Sequence, residues 1–97
     1  MRILALERDL PEVDPKKIAP CLVAEARRVW ELEQAGIVRE IYFRRDRKEA
    51  VILLECSGVE AAGEALASLP LVREGLTGFE LIPLRPYDGF ARLFADA

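Results

Sequence analysis

Two charged residues stand where apolar ones belong, and they define the chemistry open to this chain. On a helical wheel over the segment that begins near Asp14, Glu25 falls inside the apolar arc between Ile18 and Leu32. Glu33 falls in the same arc beside Leu22, in the last turn, where it can reach water. In the strand that follows, the odd positions are Ile37, Arg39, Ile41 and Phe43. Three large apolar residues place that face against the helices, so Arg39 is expected to point into the helix–sheet layer. A lone charge there costs several kcal/mol. One expectation is an internal Glu25–Arg39 ion pair that serves only the fold. The other is a pocket in which Arg39 holds an anionic group, such as a substrate carboxylate, and Glu25 moves a proton with an acidity altered by burial. Trp30, at the edge of the helix stripe and by default a core residue, is expected with Phe43 and Phe79 to contact such a substrate.

Other chemistry is poorly supplied. The chain has no histidine, which removes the commonest general base and metal ligand. Proton transfer is left to Asp, Glu, Lys, Tyr, Cys or the substrate itself. Cys21 and Cys56 are far apart in sequence and lack the paired spacing of a zinc site, so each is expected as a small, reduced hydrophobe. No glycine-rich phosphate loop is present.

The elements that must position Glu25 and Arg39 follow from the hydrophobic pattern. Residues 2–8 form an apolar strand, and Leu10-Pro11-Glu12-Val13-Asp14 a loop. Asp14 caps a helix with Pro15 at its first position, running to about Ala35 and ending on Gly36. Its buried stripe is Ile18, Leu22, Ala26 and Val29, with Arg27 and Glu31 as an exposed pair. Ile37–Arg45 and Ala50–Cys56 form a hairpin around a polar turn at Asp46-Arg47-Lys48. Ser57 and Glu60 have capping-box spacing before a second helix that buries Val59, Ala62, Leu66 and Leu69 and stops at Pro70. Leu71–Thr77 is a loop holding Gly75, and Phe79–Leu84 the last strand. Residues 85–97 form a tail in which Phe90–Phe94 makes one amphipathic turn.

This β-α-β-β-α-β order predicts one α+β domain over residues 1–97, a ferredoxin-like two-layer sandwich with a four-stranded antiparallel sheet. Such a sheet alternates apolar and polar when one face meets water. Here Leu4 and Leu6 oppose Ile3 and Ala5, Ile52 and Leu54 oppose Val51 and Leu53, and Ile82 and Leu84 oppose Phe79 and Leu81. Two helices cover one face only, so a homodimer formed through the other face is expected. The 97 residues are 52% hydrophobic and 32% charged with a net charge of −3. That fits a globular cytosolic domain and supplies no field for nucleic acid or an anionic membrane. The basic cluster Arg44, Arg45, Arg47 and Lys48 is expected as a solvated hairpin tip.

From about residue 18 to 84 the chain resembles the muconolactone isomerase family. The likeness rests on Glu25, Leu32 and Gly36, on Arg39 with its large apolar neighbours, on Val59-Glu60-Ala61 and on Leu69-Pro70-Leu71. The resemblance implies a dimeric α+β barrel that can assemble into larger rings, and a double-bond shift within a lactone by proton transfer, without metal or organic cofactor. It also implies a small anionic organic substrate, whose carboxylate Arg39 would hold. Where family members carry tryptophan and histidine, this chain has Val38, Glu40, Tyr42 and Phe43, and its tail differs.

Three functions therefore compete. One is a cofactor-free isomerase acting on a small organic acid or lactone, with Glu25 as base and Arg39 as anchor. Another is a non-catalytic metabolite-binding or regulatory module using the same pocket. The last is a cofactor-free monooxygenase, for which Trp30, Tyr42 and Tyr87 are the available side chains.

Overall fold

The central strand carries both the core and the site. In the computed structural model, which describes residues 1–10 and 13–95, β1 (Arg2–Asp9) pairs antiparallel with β3 (Ala50–Glu55) on one side and β4 (Thr77–Pro83) on the other. β2 (Val38–Phe43) pairs antiparallel with the outer edge of β3, giving the order β2-β3-β1-β4. The four antiparallel strands with helices on one face are the expected α+β sandwich. Pro11 and Glu12 of the expected first loop, and residues 96–97 of the expected tail, lie outside the described residues.

Register decides which side chains meet the helices. Ile3 sits opposite Leu54, and Ala5 opposite Ile52, and all four are buried with Leu32, Leu66 and Leu69 from the helices. Leu4, Leu6, Val51, Leu53 and Ile82 are their out-of-phase neighbours and turn to the other face. β2 enters this register with a β-bulge: Val38 faces Leu54, yet Glu40 faces Leu53 and Ile41 faces Ile52. The extra residue in the bulge is Arg39. Strict alternation from Ile37 to Phe43 therefore fails at its centre. Val38 joins the core, Ile41 and Phe43 still face the helices, and Arg39 turns outward. The expectation that Arg39 points into the helix–sheet layer is corrected by this single inserted residue.

The helices also depart from the expected pattern at prolines. The expected single helix from Pro15 is broken into α1 (Pro15–Ile18), a 3₁₀ turn at Ala19–Cys21 and α2 (Leu22–Gln34). Pro20 has no N–H for an intrahelical bond and its ring crowds the preceding turn. Asp14 caps α1 as expected, its Oδ1 accepting from Lys16 N at 2.9 Å. Gly36, at φ +78°, closes α2 in a Schellman arrangement: Gly36 N donates to Glu33 O and Ile37 N to Leu32 O. α3 (Val59–Ala67) starts from Gly58 with no side-chain cap, so the Ser57–Glu60 capping box does not form. Pro70 starts a helix rather than ending one. It occupies the first turn of α4 (Pro70–Arg73), which ends at Gly75 in a second Schellman closure. The exposed ion pair on α2 is Arg28–Glu31 at 3.2 Å, in place of the expected Arg27–Glu31.

Beyond β4 the chain leaves the body. Tyr87, Phe90, Leu93 and Phe94 are all exposed, and a 3₁₀ turn spans Gly89–Leu93. The molecule measures 62 × 28 × 21 Å.

Two substitutions separate the core from the bulge. Leu54→Ala is expected to cost about 2–5 kcal/mol in urea unfolding. Arg39→Ala is expected to cost less than about 1 kcal/mol, because only an exposed hydrogen bond is lost. A loss of several kcal/mol on Arg39→Ala would return that side chain to the interior.

Candidate functional site

The stripe that the sequence marked as buried on the first helix is not buried in the core, although Val29 packs against its edge. Ile18, Leu22, Ala26 and Val29 instead line a cavity of about 630 Å³ between α2 and the sheet. Leu32, one turn further on, is the α2 residue that packs fully. The floor is Ala50 and Ile52 of β3 with Ile41 of β2, and Leu69, Leu71 and Leu76 close the far side. Trp30, Phe43 and Phe79, the three expected contact residues, all line this space. Trp30 and Phe43 stand at its mouth, 61% and 64% exposed, so Trp30 is not a core residue.

Glu25 lies in the cavity wall, partly buried. One carboxylate oxygen accepts from Leu71 N at 2.9 Å. Leu71 is in the first turn of α4, whose N–H groups have no intrahelical partner, and Leu69 at the cap position offers no side-chain acceptor. Glu25 thus caps a neighbouring helix, which fixes its direction. Its other oxygen makes no hydrogen bond among the described residues. Burial pushes the Glu25 carboxyl above the ordinary glutamate range, the Leu71 N–H pulls it back in part, and the Glu7 charge raises it further.

Glu7 is the residue the sequence reading missed. It continues the helix-facing series Ile3, Ala5 and Glu7 on β1, and a carboxylate ending an apolar series was the available signal. Its two oxygens accept from Ala50 N at 2.8 Å and Thr77 Oγ1 at 2.9 Å, which ties β1 to the ends of β3 and β4. Asp9, Glu33 and Lys48 stand around the same space. Lys48 Nζ lies 5.6 Å from the centroid of the Phe43 ring.

Glu25 and Arg39 are not brought together. Arg39 is exposed, its Nε donates to Gly36 O at 2.8 Å, and it is not among the cavity residues. Neither the internal ion pair nor a pocket shared by the two residues forms within this chain. Tyr42 lies on the open sheet face and donates to Glu40 at 2.7 Å. Both cysteines are free. The basic hairpin tip is compensated by acids: Arg44 pairs with Asp46 at 2.6 Å, and Arg47 with the buried Glu49, which also accepts from Asp9 N.

Glu25 and Glu49 give opposite pH signatures. A raised folded-state carboxyl stabilises the fold fully below the ordinary glutamate pKa, and that stabilisation is lost as pH rises through the raised value. Glu25→Gln keeps an acceptor for Leu71 N without the charge. Its unfolding free energy is therefore expected to gain on the wild type between acid and neutral pH. Glu49 is held low by the Asp9 N–H and by Arg47, so its contribution is present at neutral pH and lost on acidification. Urea unfolding across pH checks both signs, and parallel pH profiles for Glu25→Gln and wild type would contradict the first.

No family model matches the chain, and no curated protein matches it in sequence. Among solved structures it aligns with the crystal structure of muconolactone isomerase at a TM-score of 0.75, over 91% of this chain and 92% of that one, with 21% identity. No helix among the described residues is long and apolar enough to cross a membrane. At such identity a likeness speaks for the backbone alone, and what it establishes is that this chain has the fold seen in muconolactone isomerase.

Proposed function

We propose that the cavity between α2 and the sheet binds a small organic molecule and that Glu25 exchanges a proton with it, as in a cofactor-free, isomerase-like reaction on a lactone or related carbonyl compound. The observation that carries this reading is Glu25 itself. One oxygen is fixed by Leu71 N, the other has no partner among the described residues, and the carboxyl is raised by burial in a largely apolar space. A carboxyl shifted toward neutrality is suited to both taking and returning a proton. Muconolactone isomerase shares the fold and supplies the analogy for reaction class. The anchoring role expected of Arg39 is not carried forward, since its side chain is exposed, bonded to Gly36 O and outside the cavity. A metabolite-binding module without turnover is the second reading, favoured by the capping bond that gives Glu25 a purely structural use.

We also propose that two copies pair through the open sheet face. In register, Glu40, Leu53, Leu4 and Ile82 form one row, and Tyr42, Val51, Leu6 and Glu80 the next. This apolar centre with charged edges is the composition of an interface. The exposed aromatic tail supplies further apolar surface that would reach the second copy.

Two experiments test these readings. Small lactones are screened by thermal unfolding and by solvent deuterium uptake at the carbon beside the carbonyl. A ligand at about 100 times its Kd is expected to add about 2.7 kcal/mol, and Glu25→Gln to keep binding while losing exchange. Exchange that survives Glu25→Gln removes the catalytic reading, and binding without exchange in the wild type leaves the module. By sedimentation equilibrium the chain is expected at twice its monomer mass, and Leu53→Glu at the monomer mass. A wild-type monomer would refute the pairing.

A further inference from the structure

The polar inventory of the cavity is lopsided. Among the described residues, Glu7, Asp9, Glu25 and Glu33 line it against the single cation Lys48, and Arg39, the residue expected to receive an anion, is outside. Each Glu7 oxygen already accepts one bond, from Ala50 N and from Thr77 Oγ1, so its charge is fixed in place. Glu25 has one oxygen without a partner among the described residues. A ligand carboxylate placed here would meet Glu25 and Glu7 with no cation facing it from α2, β1, β3 or β4. Lys48, on the loop between β2 and β3, has its ammonium over the Phe43 ring at the mouth. That contact also demonstrates what the wall accepts: an alkylammonium on an aromatic face is a favourable pairing.

We propose that the ligand of this cavity is an organic cation, an apolar body carrying a primary or substituted ammonium, whose head is held by the free oxygen of Glu25 while its body packs on Trp30, Phe43 and Phe79. The inference rests on the reading that the cavity is a ligand site, and it sets the charge of what enters. An ammonium donates to the carboxylate oxygen that no group among the described residues occupies, and a charge-assisted bond of this kind exceeds a neutral one. The surrounding Glu7 and Asp9 charges add to the attraction for a cation and oppose an anion. The aromatic walls suit an apolar body attached to the cation better than a bare metal ion.

The chain's single tryptophan lines the site, so its fluorescence reports occupancy. Benzylamine, benzyl alcohol and benzoate present one ring with a cationic, a neutral and an anionic head. Benzylamine is expected to bind about tenfold or more tighter than benzyl alcohol, a difference of about 1.4 kcal/mol, and benzoate weakest. Glu25→Gln is expected to bring benzylamine to the level of benzyl alcohol and leave the alcohol unchanged. Benzoate binding as tightly as benzylamine overturns the inference, as does an amine preference that survives Glu25→Gln. Binding of the alcohol at the same strength as the amine overturns it too but keeps the cavity as a ligand site. No binding by any of the three removes both.

Discussion

A single carboxylate, that of Glu7, joins the scaffold to the site. Its two oxygens hold the first N–H of β3 and the hydroxyl at the start of β4, so three strands meet at one charged group beneath α2. Even partial burial of a carboxylate calls for partners, and these two bonds supply them. In return the sheet places a negative charge beside the cavity, and the second carboxylate, Glu25, titrates against it. Glu25 is oriented by capping α4, so α2, α4 and the central strand all constrain the same small volume. The cavity exists because most of the apolar stripe of α2 spans it instead of closing onto the sheet; from that helix Leu32 is buried in the packed core and Val29 packs against its edge.

The two faces of the sheet then divide the work. The helix face carries the packed core at one end and the acidic, aromatic-walled cavity at the other. The open face carries Leu4, Leu6, Val51 and Leu53 at its centre, and the tail beyond β4 adds Tyr87, Phe90, Leu93 and Phe94, all exposed. These are surfaces of opposite character. One has a fixed charge in a confined space, and the other has extended apolar area that gains from burial against an equal partner.

Much of this was legible in the residues. Element order, the hairpin, the Asp14 cap and the Gly36 stop follow from local rules, and the doubly apolar strands marked the open face. Glu25 was found because a helical wheel is reliable over a regular helix, and Phe43 and Phe79 because their strands keep phase there. What failed was non-local. The bulge at Arg39 is an agreement between β2 and β3 that no pattern within β2 encodes, and one inserted residue leaves a guanidinium outside the cavity. Pro70 reads equally as a helix stop or a helix start, and the chain uses the second. Ser57 has capping spacing, yet the helix begins one residue later from Gly58. The stripe of α2 looks the same in sequence whether it packs on a core or lines a void. Glu7 escaped because its partners lie about 40 and 70 residues away.

The central claim is that Glu25 is tuned by its place above the sheet, with Glu7 as a distinct contributor. Site-resolved carbon NMR of the Glu25 carboxyl in the wild type and in Glu7→Gln measures this directly. A midpoint above the ordinary glutamate range in the wild type, falling on Glu7→Gln, is the predicted result. A wild-type midpoint at or below that range would contradict it.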